Sequence, residues 1–318
     1  MRITVLGCGR WGTFLTWYLH RTGHEVALYG RKTSWRMARL LESRENDLLL
    51  LPDGVPLTTD LAAAVLRAEV LVISVGVQSF RGLLRELRAL DLSGRALVLC
   101  MKGLEAETGA RLTEMVAQEL GPVPCGIWVG PGHVQDFLRG VPNCMVIDSA
   151  DAGLRETLVQ AFSSDLIRFY YGDDLIGNEI GAAAKNVVGI AAGMLDGYGL
   201  TSLKGALMAR GTREVGRLIG AMGGSERSAY GLAHLGDYEA TVFSPYSHNR
   251  AFGEQFARGE SYTQLAEGAA TAKALRVLSA RCGVDLPICG AVYAVLYEGM
   301  DPQEALSGLF LRSLKREF

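Results

Sequence analysis

The 318-residue chain has no excess of positive charge: 32 lysines and arginines against 34 aspartates and glutamates leave a formal net charge of −2. Proteins that bind nucleic acid do so largely through basic groups that displace counterions from phosphates, so this balance argues against a nucleic-acid partner. Paired cysteines are lacking too. The six cysteines, at 8, 100, 125, 144, 282 and 289, make no C-x-x-C, and several lie in apolar runs such as residues 96–100. That usage excludes a disulfide framework and a zinc ribbon. It reads as small buried hydrophobes in a reducing compartment, and no metal is expected. Nor is there a clean membrane span. The most apolar long stretch, residues 176–195, contains Asn178, Glu179, Lys185 and Asn186 among many small residues, the composition of a buried helix. The N-terminus begins with strand-like residues and a glycine-rich turn instead of a basic-plus-apolar signal pattern, so a cytoplasmic protein is expected.

What is present is ordinary globular material, 49% hydrophobic and 21% charged, in a chain long enough for two domains. Up to about residue 172, short β-branched runs (2–6, 25–29, 70–75, 96–101, 126–129, 144–147 and 167–171) alternate with amphipathic stretches such as 11–22, 79–90 and 107–120. Apolar strands alternating with helices predict a parallel sheet covered on both faces. After about residue 174 only helical patterns remain, at 174–197, 203–222, 250–258, 268–282, 286–298 and 301–316, punctuated by Gly223-Gly224, Gly283 and Asp301-Pro302. The expected architecture is α/β: an N-terminal Rossmann-like, doubly wound domain over residues 1–173, followed by an all-α domain over 174–318.

The turn Gly7-Cys8-Gly9-Arg10-Trp11-Gly12 is a G-x-G-x-x-G placed between the first strand and the first helix, the context in which that pattern binds a dinucleotide. Gly7 would make the tight turn, Gly9 would admit the pyrophosphate and Gly12 would let helix pack on strand. The second strand runs into Gly30-Arg31-Lys32 and offers no carboxylate for a ribose 2′-hydroxyl. Two cations there suit a 2′-phosphate, so NADP(H) is expected over NAD(H), the alternative being that both are solvated surface charges.

Two lysines stand out. Lys185, in Ala184-Lys185-Asn186-Val187, has small apolar neighbours and no acidic residue three or four positions away. Loss of solvent would lower its pKa towards the range useful for proton transfer; the alternative is a lysine snorkelling to the helix edge. Lys102 follows the strand at 96–101, at the sheet edge where doubly wound folds bind ligands, and could equally be a plain loop lysine.

Several segments together resemble the NAD(P)-dependent glycerol-3-phosphate dehydrogenase family of the bacterial type. They are Gly7–Gly12 with Thr13, Lys102-Gly103-Leu104-Glu105, Ala184–Val187, residues 192–197, Ala209-Arg210-Gly211, and Gly236-Asp237 leading to Ser247-His248-Asn249-Arg250. Each is modest, but their order and spacing are specific and span nearly the whole chain. The resemblance implies reversible reduction of dihydroxyacetone phosphate to sn-glycerol 3-phosphate, a phospholipid precursor. Lys185 would be the general acid, Lys102 would bind substrate near the nicotinamide, and Asp237 would orient Lys185 or a substrate hydroxyl. Gly130 and Gly132 would form the substrate-binding turn, and Thr241, Ser247, His248 and Asn249 would hold the phosphate end. Arg10, Trp11, Arg31, Lys32, Lys102, Val134, His248, Leu265 and Glu267 would join the glycines in contacting cofactor, and a homodimer is implied.

Four segments depart from the family pattern. His248 replaces the arginine of S-R-N-R, with Arg250 as a candidate substitute. Gly132 and Val134 stand in a G-P-(S/T)-x-A turn. Residues 75–77 read Val-Gly-Val for V-P-S, and Thr241-Val242 replaces T-C. These changes fall on substrate contacts and leave the cofactor motif and Lys185 intact. The competing readings are a hydroxyacid or ketopantoate-type reductase of the same architecture and a non-catalytic NADP-binding sensor.

Overall fold

The computed structural model describes residues 1–314 and 316. Two compact units divide the chain: Met1–Lys102 with Arg111–Leu175, and Gly103–Ala110 with Ile176–Phe318. The second unit thus takes a short loop from the middle of the first.

In the first unit the order is β1 (Arg2–Leu6), α1 (Arg10–Arg21), β2 (Glu25–Tyr29), α2 (Trp35–Ser43), β3 (Leu57–Thr58), α3 (Leu61–Leu66), β4 (Val70–Ile73), α4 (Val77–Arg88), β5 (Ala96–Leu99), α5 (Leu112–Leu120), β6 (Cys125–Val129), α6 (Val134–Leu138), β7 (Asn143–Ser149), α7 (Ala152–Phe162) and β8 (Ile167–Tyr171). These strands form one eight-stranded sheet in the order β3-β2-β1-β4-β5-β6-β7-β8, with a reversal of winding at β1 and β4. In doubly wound sheets ligands bind at the carboxyl ends of the strands beside such a reversal. All neighbours pair parallel except β6 and β7. The parallel sheet expected from the apolar runs is present, with one exception: β7 runs antiparallel to β6. The five-residue α6 rises only about 7–8 Å, whereas a five-residue strand covers about 17 Å. α6 by itself does not span the height of the sheet, and β7 starts from the edge at which β6 ends. The expected helix at 107–120 also begins late, at Leu112, because Gly109 takes φ +69° and breaks the turn before it.

The sheet core is aliphatic on its strands, with an aromatic cluster where β6 and β8 meet α1 and α7. Trp128 is buried and meets Phe169 edge-on at 4.8 Å between ring centres. Tyr18 reaches across to donate to the Phe162 carbonyl at 2.5 Å. Burial pushes the Tyr18 phenol up to about 12, so it remains a donor.

The second unit contains α8 (Leu175–Gly197), α9 (Lys204–Ala221), α10 (His248–Ala257), α11 (Glu267–Cys282), α12 (Pro287–Tyr297) and α13 (Pro302–Phe310), with short 3-10 and π turns over Glu226–Tyr230, Leu235–Asp237 and Glu239–Phe243. The helical pattern read to residue 316 ends at Phe310. α8 is buried almost end to end, its many Ala, Gly, Ile and Val positions leaving no continuous polar face. Its glycines admit neighbouring backbone: a Cβ at Gly193 would lie 1.9 Å from the Arg250 carbonyl oxygen. The buried Glu214 of α9 accepts the Ile288 and Cys289 amides, both at 2.9 Å, and so caps α12, while burial raises its pKa.

All six cysteines are free; Cys8, Cys100 and Cys289 are buried, and burial pushes the Cys100 and Cys289 thiols well up. Among the described residues no helix is long and apolar enough to cross a membrane, and no cluster of His, Cys, Asp and Glu could hold a metal ion.

Candidate active site

The first unit carries the glycine turn between β1 and α1. Gly7 has φ +124°, and a Cβ on it would lie 2.0 Å from the Ser74 carbonyl oxygen of the neighbouring β4 end. A Cβ on Gly12 would lie 1.8 Å from the Gly7 carbonyl. Both are therefore demanded by the protein's own packing. Gly9 differs: its φ is −74°, and nothing lies within 4 Å of where its Cβ would be. Gly9 is the N-cap of α1 and no side chain caps that helix, so the turn presents bare backbone beneath open space. A pyrophosphate fits this cradle, since helix N-terminal amides and the dipole behind them favour an anion. Trp11 packs beside Phe14 at 5.1 Å between ring centres, and Arg10 is exposed at the first position of α1.

At the end of β2, Arg31 pairs with Glu86 of α4 at 3.7 Å, with both side chains about half exposed, and Lys32 is exposed in the following turn. Such a pair is weakly held in solvent. On β5 and β6, neighbouring parallel strands, the carboxyl ends carry Lys102 and the Gly130-Pro131-Gly132 turn. Lys102 Nζ donates to the Gly130 carbonyl at 2.5 Å, bringing two of the expected substrate contacts together. Gly130 and Gly132 have φ +130° and +146°. A Cβ on Gly132 would lie 2.4 Å from the Phe137 ring, which itself stacks on Phe14. The hydroxyl residue missing at this position is accounted for: that ring leaves no room for it. Val134, at the start of α6, is buried.

The second unit gathers Lys185, Asp237 and Thr241. Lys185 lies on α8 and is 93% buried at the side chain; its Nζ is 3.0 Å from Asp237 Oδ2, whose side chain is also buried. Lys185 Nζ donates to Thr241 Oγ1 at 2.6 Å, and Thr241 Oγ1 donates to the Asp237 carbonyl at 2.7 Å. The hydroxyl has one proton, already committed to that carbonyl, so it can only accept from the lysine. Gly189, one turn after Lys185, makes space for Thr241, because a Cβ there would lie 2.7 Å from Thr241 Cγ2. Thr241, expected at the phosphate end, is thus placed on the lysine. Val242 beside it is buried against Val188 and Tyr238, an apolar site in which valine serves as well as a thiol.

Ser247 is the N-cap of α10 and accepts the Arg250 amide. His248 opens that helix, with Nδ1 2.7 Å from the Tyr262 hydroxyl. Asn249 links three segments: its Nδ2 donates to Asn186 Oδ1 at 3.1 Å, and its Oδ1 accepts the Gly268 amide at 2.9 Å. Glu267 begins α11, next to Gly268, whereas Leu265 is exposed. Arg250, the candidate replacement for the missing arginine, points into a charge cluster: Asp196 at 2.8 Å, Glu254 at 2.9 Å and the Ser244 carbonyl at 3.1 Å. Lys204 joins it through Asp196 at 2.7 Å. Sequence reasoning missed this cluster, Tyr262, Asn186 and His234. The Asp196 and Lys204 spacing crosses a helix break, and nothing in the run around Tyr262 signals a partner.

The family profile described as the NAD-dependent glycerol-3-phosphate dehydrogenase N-terminus matches residues 2–154, and that of the C-terminus of the same enzyme matches residues 174–307. The chain belongs to this family. A glycerol-3-phosphate dehydrogenase [NAD(P)+] of Thioalkalivibrio sulfidiphilus is 37% identical over 99% of this chain and 98% of its own. The crystal structure of glycerol-3-phosphate dehydrogenase from Coxiella burnetii superposes with a TM-score of 0.92 at 28% identity, covering 98% of this chain and 99% of that one. A ketopantoate reductase from Ralstonia eutropha shares the fold at a TM-score of 0.63 and 15% identity. Family membership and these figures do not favour the hydroxyacid, ketopantoate and sensor readings. As a family member the chain is an NAD(P)-dependent oxidoreductase acting on a CH–OH group.

Proposed function

We propose that this protein interconverts dihydroxyacetone phosphate and sn-glycerol 3-phosphate, with Lys185 donating a proton to the substrate's C2 oxygen in reduction and accepting it back in oxidation. The observation that carries this reading is a buried lysine fixed by both a carboxylate and a hydroxyl, at 3.0 Å and 2.6 Å, on a helix buried almost end to end. A bound reduced nicotinamide supplies the hydride. As charge develops on the carbonyl oxygen, a positioned ammonium stabilises it and delivers the proton, an effect of about 10²–10⁴-fold for general acids. Asp237 and Thr241 hold the Nζ in place, so that its orientation is set before the substrate arrives.

The Gly7–Gly12 turn is assigned to the cofactor pyrophosphate on the strength of the open space over Gly9. NADP(H) is preferred over NAD(H) because β2 ends in Arg31 and Lys32, with no carboxylate to receive a ribose hydroxyl. Lys102 and the Gly130–Gly132 turn bind substrate, and Ser247, His248 and Asn249 at the start of α10 serve its phosphate, which supplies remote binding energy. The cysteines, all free and none exposed, favour a reducing, cytoplasmic setting. The test is oxidation of NADPH and NADH by dihydroxyacetone phosphate, followed by absorbance. Turnover with NADPH at the higher kcat/KM is expected; NADPH binding without turnover would remove the substrate assignment.

A further inference from the structure

His234 has no part in the chemistry described so far, yet it is fully buried in the turn that carries Asp237. Each ring nitrogen has a partner: Nδ1 lies 2.8 Å from the Gly181 carbonyl oxygen, and Nε2 lies 2.8 Å from the Tyr238 hydroxyl. A carbonyl oxygen only accepts, so Nδ1 carries the proton, Nε2 is the acceptor and Tyr238 is the donor. The charged groups that act on the ring are Lys185 from α8 and Asp237 from its own turn. Burial lowers the imidazole to about 4 and pushes the Tyr238 phenol far up, so both keep these forms at neutral pH.

The partners are what give the ring its meaning. Gly181 stands four residues before Lys185 on α8, and in an α-helix the carbonyl of residue 181 is the one that receives the amide of residue 185. At the other end, the Asp237 amide donates to the His234 carbonyl at 3.0 Å, closing the turn. A Cβ on Gly181 would lie 3.0 Å from His234 Cβ, so the bare glycine is what seats the turn on the helix.

We propose that His234 is a positioning residue, whose imidazole clamps the Asp237 turn onto the Lys185 helix and thereby sets the Lys185–Asp237–Thr241 geometry. The proposal rests on Lys185 as proton donor; the ring itself transfers no proton.

The experiment measures kcat and KM for dihydroxyacetone phosphate with NADPH across pH 5.5–9.5, and NADPH affinity by fluorescence, for wild type, His234→Ala, His234→Asn, Tyr238→Phe and Lys185→Ala. His234→Ala is expected to lower kcat about 10–100-fold, the scale of a misplacement near 1 Å. Its KM and NADPH affinity stay within about threefold, and the limb of the pH–kcat profile that Lys185→Ala abolishes moves. His234→Asn keeps a donor for the Gly181 carbonyl and restores kcat to within about fivefold of wild type. Tyr238→Phe lowers kcat by less than His234→Ala. A folded His234→Ala enzyme with wild-type kcat and pH profile overturns the proposal, as does a loss confined to KM. Should His234→Ala not fold, His234→Leu fills the space without a donor for the Gly181 carbonyl, and a folded His234→Leu enzyme with wild-type kcat and pH profile overturns it. Wild-type turnover in Lys185→Ala overturns the reading beneath it, whereas loss in Lys185→Ala with none at His234 overturns this proposal alone.

Discussion

Gly193 and Arg250 meet with a Cβ's width missing between them: a Cβ on Gly193 would lie 1.9 Å from the Arg250 carbonyl oxygen, and one on Gly253 would lie 2.1 Å from the Ile190 carbonyl. The crossing of α8 and α10 is therefore made by backbone on both sides, and it ties the helix of Lys185 to the helix that begins at His248. Gly193→Ala and Gly253→Ala must each push the helices apart. Overpacking of this kind costs about 1–3 kcal/mol, and each is expected to lower the denaturation midpoint accordingly in urea. An unchanged midpoint would mean that the crossing is looser than described.

The three glycines of the first turn separate by experiment. Gly7→Ala and Gly12→Ala introduce contacts of 2.0 Å and 1.8 Å with backbone and are expected to destabilise the first unit. Gly9→Ala meets no protein atom, so its stability stays within about 1 kcal/mol, the cost of alanine at an N-cap. Its NADPH affinity falls at least tenfold, because the methyl occupies the space assigned to the pyrophosphate. Equal NADPH binding by Gly9→Ala and wild type, measured by fluorescence titration, would place the cofactor elsewhere.

Stability should depend on the protonation of His234. Its pKa is about 4 folded against 6.5 for the free side chain, so between those values the unfolded chain binds the extra proton. Stability therefore rises with pH through that window and is lost as pH falls from about 6.5 towards 4. The full span corresponds to about 3 kcal/mol. The buried Glu214 carboxyl, with its pKa raised, opposes this trend, so the informative quantity is the difference between wild type and His234→Asn. That difference is expected to shrink or reverse as pH falls from 7 to 4, and a constant difference would contradict a buried neutral imidazole.

Arg250 belongs to the Asp196–Lys204–Glu254 cluster, and its guanidinium is held there at 2.8 Å from Asp196 and 2.9 Å from Glu254. Asp196→Ala leaves the buried Lys204 without its carboxylate and is expected to cost about 3 kcal/mol, and Arg250→Ala less, since Asp196 keeps Lys204. The double variant should lose less than the sum, with a coupling of about 1 kcal/mol or more in a double-mutant cycle. Additive losses would show that the two act separately.

Much of the fold could be read from residue patterns. Strands of Val, Ile and Leu buried on both faces leave a clear signature, and the strand–turn–helix after β1 could be read because Gly7 and Gly12 have no sterically permitted substitute. The helical second unit was legible for the opposite reason, the absence of alternating runs. Lys185 could be singled out by its lack of local carboxylates; its actual partner, Asp237, is 52 positions away, and Asp237 could be named only through the family pattern. The antiparallel β7 was hidden because strand direction depends on the path of the chain between β6 and β7, which no single strand encodes. His234 was hidden as well, since a lone histidine acquires its role only when a glycine carbonyl 53 positions earlier is brought to its ring.

Lys185 is tested most directly by single-turnover oxidation of bound NADPH by dihydroxyacetone phosphate in wild type and Lys185→Ala, below the unfolding temperature of both. Rapid oxidation is expected in wild type and a rate about 10²–10⁴-fold lower in the variant, with NADPH still bound. Oxidation at the wild-type rate in Lys185→Ala, or none in wild type with NADPH bound, would contradict Lys185 as the proton donor.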